Sequence, residues 1–295
     1  MRAKGYIAVL RINSSLEIRR ICLKNNSFSP NRQETVNSEM ITTLYIGSRK
    51  ASADLSKPLD ISIPLATGET QVNCFYAPLF ETLPVIAGDF IGSTAQGGLV
   101  NFLNVRLNPH GNGTHTECVG HIAKEAFTIN QSLRQFHFPA KLLTVFPRKQ
   151  ENGDRVIVKE DFPGEINIGE VSALIIRTMP NRDSKLTQNY SGSNPPYVSP
   201  DALAFLADRQ IEHLLIDIPS VDREEDGGKL AAHKAWWQYP GTREAGRENC
   251  TITELIFVPD TIPDGYYLLN LQIASFEIDV SPSKPVLYAL QFEGL

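Results

Sequence analysis

The sequence predicts a mixed α/β fold (α+β in its layering), rich in strands and sparing in helices. Three observations carry that expectation. Short β-branched runs recur along the chain, strand, helix and strand patterns alternate in its second half, and no internal repeat or low-complexity tract interrupts them. Such an order builds helices onto sheets around one core.

The elements follow in order. Ile61-Ser62-Ile63-Pro64-Leu65 alternates as a half-buried strand does. The apolar run at 97–105 leads straight into a histidine-rich segment, which is therefore expected to continue a strand. Residues 127–146 combine a short amphipathic stretch with a strand. Residues 171–178 are β-branched and uncharged until Arg177, the pattern of a buried strand. Ser, Asn, Gly and Pro crowd 184–196, which should be a loop. Ser199-Pro200-Asp201 then opens a helix, with Ser199 as cap and proline at the first helical position. Leu203, Phe205, Leu206 and Ile211 give that helix an apolar face, and 214–218 returns as a strand ending in Ser220-Val221-Asp222.

The segment from Asn108 to Ile122, N-P-H-G-N-G-T-H-T-E-C-V-G-H-I, gathers three of the six histidines and a glutamate. Folding alone does not ask for that. Side chains alternate faces on an extended chain, so His115, Glu117 and His121 project to one side while Thr116 and Cys118 project to the other. His110 would fall on the wrong face, but Gly111-Asn112-Gly113 suits a bulge whose extra residue restores the facing. Two imidazoles and a carboxylate then form a ligand set for zinc or manganese. His121 lies about 13 Å beyond Glu117 on an ideal strand and joins the others only if the chain turns at Gly120. It is expected to stay uncoordinated and to serve as general acid and base, since imidazole titrates near neutrality.

These residues resemble the signature of the metal-dependent cyclase family, which includes bacterial kynurenine formamidase and isatin hydrolase and is marked by H-x-G-T-H-x-D-x-P-x-H. Gly113-Thr114-His115 matches G-T-H, Glu117 stands where the family has Asp, and His121 matches the last histidine. The first histidine is displaced by one residue, and Val119 replaces proline. Asp54-Leu55-Ser56-Lys57-Pro58-Leu59 is similar to the family's D-L-S-x-P-L opening, and Ser220-Val221-Asp222 to its S-x-D. The resemblance runs from about Asp54 to Leu290. It implies a swivelling β/β/α architecture, a homodimer or homotetramer, and cleavage of an amide or lactam C–N bond in a small-molecule substrate.

It also implies one or two zinc or manganese ions, held by His110, His115 and Glu117 together with His233 and Glu254. His233 stands where the family places its late histidine. Glu254, within Thr251-Ile252-Thr253-Glu254, is preferred to Glu244 or Glu248 because a ligand on a strand is held more accurately than one on a loop. Residues 238–250 then become an insertion. In such an enzyme the ion activates water and polarises the carbonyl, His121 handles the proton, and Ser220 donates a hydrogen bond or relays a proton. The altered motif keeps two other readings open: a catalytically silent metal- or ligand-binding protein on the same scaffold, and a hydrolase or lyase of a non-aromatic metabolite. The family-like domain is expected over residues 50–295, with 1–49 an N-terminal extension outside the folded core.

Composition bounds the rest. A chain of 295 residues, 42% hydrophobic and 21% charged, supports a sizeable core without staples. A net charge of −5 gives no electrostatic footprint for nucleic acid. No run approaches the about 20 apolar residues of a membrane span, and the apolar stretch near the N-terminus is too short for a secretory leader. Four scattered cysteines without a C-x-x-C pair suit reduced thiols in the cytoplasm. Of the remaining candidates, His137 and His213 read as structural, Cys118 as a small buried hydrophobe, and Glu224-Glu225-Asp226 as a solvated loop. Trp236 and Trp237 read as core or subunit contact in preference to a substrate pocket.

Overall fold

Strands carry most of the regular structure over residues 39–164, 166 and 169–294, which the computed structural model describes. Of the expected N-terminal extension, residues 1–38 lie outside the described residues. The first strands are β1 (Ile41–Ile46), β2 (Arg49–Asp54), β3 (Leu59–Asp60), β4 (Glu81–Pro84), β5 (Ile86–Ala87), β6 (Phe90–Ile91), β7 (Leu103–Arg106) and β8 (His115–Glu117). Then come β9 (His137–Val145), β10 (Arg148–Lys149), β11 (Arg155–Ile157), β12 (Ala173–Thr178), β13 (Tyr197–Val198), β14 (His213–Ile216), β15 (Thr251–Glu254), β16 (Gly265–Ile273) and β17 (Val280–Phe292). The helices are α1 (Pro109–Asn112), α2 (Ile129–Ser132), α3 (Pro200–Asp208) and α4 (Ala231–Trp237).

Seven of these strands close into a ring in the order β17, β16, β9, β12, β14, β15 and β8, with β8 pairing back onto β17. Closure removes the unpaired edges that an open sheet would expose. Within the ring β9, β12, β14 and β15 run parallel, and parallel neighbours need crossover connections. Helix α3 lies between β12 and β14 in the chain, and α4 between β14 and β15.

Being covered on both faces explains the unbroken apolar run of β12, all of whose residues are buried. Alternate side chains serve different cores. Leu174 and Ile176 join Leu214, Ile216 and Ile252 beneath Leu203 and Leu206 of α3 and Trp236 of α4. Ala173 and Ile175 join Leu142, Leu215, Leu269 and Leu287 on the enclosed side. Each buried Leu or Ile contributes about 1.5–3 kcal/mol, so apolar burial on both sides holds the ring. Arg177 ends the run, and its buried guanidinium donates to Thr144, to the carbonyls of Pro259 and Ile262, and to Asp264. The helix expected after Ser199 forms as α3 with proline at its start, although the Ser199 hydroxyl makes no capping bond.

Two expectations need correction. The boundary placed at residue 50 falls inside a hairpin: β1 pairs with β2 from Ile41↔Asp54 to Ile46↔Arg49, and β2 pairs with β17. The physical reason is the two-residue turn Gly47-Ser48, whose glycine adopts φ +58, a conformation hairpin turns require. The strand expected to run into the histidine segment stops instead at Arg106. There β7 pairs with β4, away from the ring, and α1 intervenes before β8. Together β4, β7 and the small β5–β6 pair form an arm on which Leu83, Ile86, Leu99, Phe102 and Val105 are exposed. No helix among the described residues is long and apolar enough to cross a membrane.

Candidate metal centre

Strand pairing lays the floor of the site. β8 sits between β15 and β17, with Glu254 opposite His115, and Ile252 and Val280 opposite Glu117. Directly opposed residues share a face, so Glu254 stands beside His115 and Glu117, with its Oε2 3.3 Å from His115 Nε2. Thr116 points the other way and hydrogen-bonds Thr253 Oγ1 at 2.8 Å. Cys118 likewise joins the enclosed core, the facing that alternation predicts.

His110 reaches the site by a different route from the expected bulge. Pro109–Asn112 forms one helical turn, α1, with Asn108 accepting from the Gly111 amide and proline at the first position. A helical turn inserts the extra residue as well as a bulge would, and Asn-Pro is a helix-start pair. The ring centroid of His110 lies 5.4 Å from that of His115 and 4.4 Å from that of His121. The turn at Gly120 also exists, as a 3-10 turn over Val119–His121. A Cβ at Gly120 would meet Phe127 O at 2.3 Å, so only glycine permits the bend. It brings His121 Nδ1 to 3.7 Å from Glu117 Oε2.

His233 arrives from α4, across the outer face of the β8–β15 pair. Asp222 fixes it, accepting from the Ala232 and His233 amides and lying 2.5 Å from His233 Nδ1. The other nitrogen, Nε2, is thereby aimed at Glu117 Oε1, 3.1 Å away. Trp237 stacks behind the imidazole at 5.7 Å between centroids and donates its indole N–H to Cys250 O. Both tryptophans are fully buried, so they are core, and one of them backs the site. Glu254 Oε1 accepts from Val221 N at 2.8 Å.

The imidazoles of His110, His115 and His233 each present one nitrogen inward and have the other engaged outside. For His115 the outer partner is the Gly113 carbonyl, 2.9 Å from Nδ1. A carbonyl can only accept, so Nδ1 is the donor there and Nε2 is the nitrogen turned inward. For His233 it is Asp222, and for His110 it is Asp279, whose Oδ2 lies 2.9 Å from Nε2 while Nδ1 faces Glu117 Oε2 at 3.3 Å. His115 Nε2 and Glu117 Oε2 are both buried without a hydrogen-bond partner. His115 Nε2 and Glu254 Oε2 lie close without forming a hydrogen bond, and a cation between them would give both a partner.

Burial works against charge here, but the neighbours outweigh it. Burial opposes ionisation of Glu117, yet the imidazoles of His121, His110 and His233 hold its carboxyl well below the usual carboxylate range. Desolvation opposes the His110 imidazolium, and the Asp279 and Glu117 carboxylates beside it push it up to about 10. His233 is likewise pushed up to about 10 by Asp222 and Glu117 against the same opposition. In the triads His110–His115–Glu117 and Glu117–His121–His233, one ligand atom per residue lies within 4.8 Å of the others, a spacing at which one ion can bridge nitrogen and oxygen donors.

The fold thus brings His110, His115, Glu117, His121, His233 and Glu254 together. The Ser220 hydroxyl accepts from Asp222 N at 3.2 Å, in the turn whose next residue, Val221, donates its amide to Glu254. Asp222 and Asp279 were not singled out from the sequence. Asp222 had a signal in the S-x-D segment, whereas Asp279 had none, because only the long-range pairing of β17 with β8 delivers it.

Residues 53–223 match the family model described as Putative cyclase. A kynurenine formamidase from Bacillus cytotoxicus is 25% identical over 243 residues, covering 80% of this chain and 97% of that protein. Among solved structures, an isatin hydrolase bound to the product analogue thioisatinate superposes with a TM-score of 0.55 at 18% identity, over 80% of this chain and 93% of the other. A protein described as a potential metal-dependent hydrolase with cyclase activity gives 0.55 at 19% identity, over 79% and 97%. At these identities the structural matches speak for the fold.

Proposed function

The chain belongs to the cyclase family, and from that premise we propose that it is a metal-dependent hydrolase that opens an amide or lactam C–N bond of a small molecule, as a kynurenine formamidase does. The observation that carries the reading is the convergence of His110, His115 and Glu117, with one ligand atom of each within 4.8 Å of the others and His115 Nε2 buried without a hydrogen-bond partner. A buried nitrogen left in that state would cost about 1–3 kcal/mol. His110, His115 and Glu117 would hold zinc or manganese, with Glu117 shared toward His233, and with Glu254 beside His115. When bound, such an ion supplies Lewis acidity to a carbonyl and to water.

The remaining chemistry falls to side chains of this chain. Hydrolysis adds water across the C–N bond, so one proton must leave the water and one must reach the departing nitrogen. His121 suits both transfers, being partly open to solvent while its Nδ1 faces Glu117 and Asp279. We also assign the chain to the cytoplasm, an assignment supported by the buried, unpaired Cys74, Cys118 and Cys250.

Replacing His115 with Ala tests the reading. Metal content by elemental analysis and turnover of a formamide, lactam and ester panel should be lost together. Unchanged metal content would remove the basis of the assignment, and metal binding without turnover of any panel member would favour a silent binder.

A further inference from the structure

His110 differs from its two companions in the nitrogen it offers. His115 and His233 face inward through Nε2, whereas His110, carried on the turn of α1, faces Glu117 through Nδ1. That reversal leaves its Nε2 pointing outward, where a carboxylate from a distant part of the chain meets it. Asp279 precedes β17, and its place is fixed by the backbone: Cys118 N donates to Asp279 O at 2.9 Å, and the next residue, Val280, pairs with Glu117. The Asp279 Oδ2 lies 2.9 Å from His110 Nε2 and 3.5 Å from His121 Nδ1.

We propose that Asp279 is a positioning residue of the metal centre, which accepts the Nε2 proton of His110 and so commits the Nδ1 lone pair of that histidine to the ion. The inference rests on the metal-hydrolase reading above. Its logic is that of any ligating histidine: the nitrogen that does not bind must keep its proton, and an acceptor placed there fixes the tautomer and the ring angle. Asp222 does this for His233 and the Gly113 carbonyl for His115. Asp279 completes the set for the one histidine that departs from the motif spacing. One oxygen of Asp279 also reaches toward His121, so the same carboxylate joins a ligand to the residue that carries the proton.

The test compares zinc binding by full-length protein, Asp279→Ala and Asp279→Asn, using competition with a chromophoric chelator. Asp279→Ala should bind zinc about 10–100-fold more weakly while holding the same number of ions at saturation. Asp279→Asn should recover most of that affinity, because its amide oxygen can accept the same proton. Nitrogen-15 spectra of the zinc-loaded, unaltered protein should show His110 protonated at Nε2 and coordinated through Nδ1. They decide the matter even if a variant fails to fold. Unchanged affinity in Asp279→Ala, loss of an ion at saturation, which would make Asp279 itself a ligand, no recovery in Asp279→Asn, or coordination through Nε2 would each overturn the proposal. The two readings fail separately: metal retained by His115→Ala undoes the centre, whereas metal lost there but held at full affinity by Asp279→Ala undoes only the role of Asp279.

Discussion

His121 stands between two carboxylate oxygens, 3.7 Å from Glu117 and 3.5 Å from Asp279, with 30% of its side chain exposed. A group so placed can exchange protons with solvent and with the centre. His121→Ala should therefore keep its metal yet lose turnover by a factor on the order of 10²–10⁴, read by elemental analysis beside steady-state kinetics. Metal loss as ready as in His115→Ala would make His121 a ligand, a role its closeness to Glu117 and His233 also permits. At this scale the sequence was legible wherever a local rule applied. Alternation placed His115 and Glu117 on one face and Cys118 on the other. It said nothing of Asp279, because no local period relates a residue before β17 to one in β8.

Elements were less legible than residues. A bulge and a helical turn both take up the one residue by which His110 is displaced, and the Asn108-Pro109 pair was the signal that favoured the turn. The hairpin of β1 and β2 was missed although Ile41-Thr42-Thr43-Leu44-Tyr45-Ile46 is rich in β-branched and aromatic residues, because it precedes the family-like opening at Asp54. The arm built on β4 and β7 carries its own consequence. A two-stranded ribbon is marginal by itself, and one with Leu83, Ile86, Leu99, Phe102 and Val105 exposed asks for a covering surface. We propose that a second copy of the chain supplies it, in a homodimer or homotetramer. Phe102→Asp, at a side chain outside the ring's cores, should shift the assembly toward monomer by light scattering after size exclusion. An unaltered mass, or a monomeric parent protein, would dismiss this arm as the contact.

For the molecule as a whole, His213 offers a handle on stability. It opens β14, lies tilted against Phe138 with ring centroids 4.0 Å apart, and accepts or donates at Thr251 Oγ1. Burial, helped by the charge of Arg247, lowers its pKa from 6.5 to about 3. The folded chain keeps this imidazole neutral where the unfolded chain protonates it. Its contribution is thus complete above pH 6.5 and is withdrawn as pH falls from there toward 3, at about 1 kcal/mol per pH unit. His213→Gln, which retains a partner for Thr251, should flatten the dependence of urea-unfolding free energy on pH between those limits. Parallel curves for the two proteins would show that His213 titrates alike in both states.

The ring itself could not be read from a linear pattern, since closure depends on β8 and β17, whose partners lie far apart in the chain. That seam has a meaning beyond architecture. β8 is only His115–Glu117, and it is both the last stitch of the barrel and the strip that bears two of the ligands. Until it is threaded between β15 and β17, Glu254 and Asp279 have no address relative to His115 and Glu117. An ion held as proposed would join β8, through His115 and Glu117, to β15, through Glu254, so its binding should favour the chain in which that side of the seam is closed.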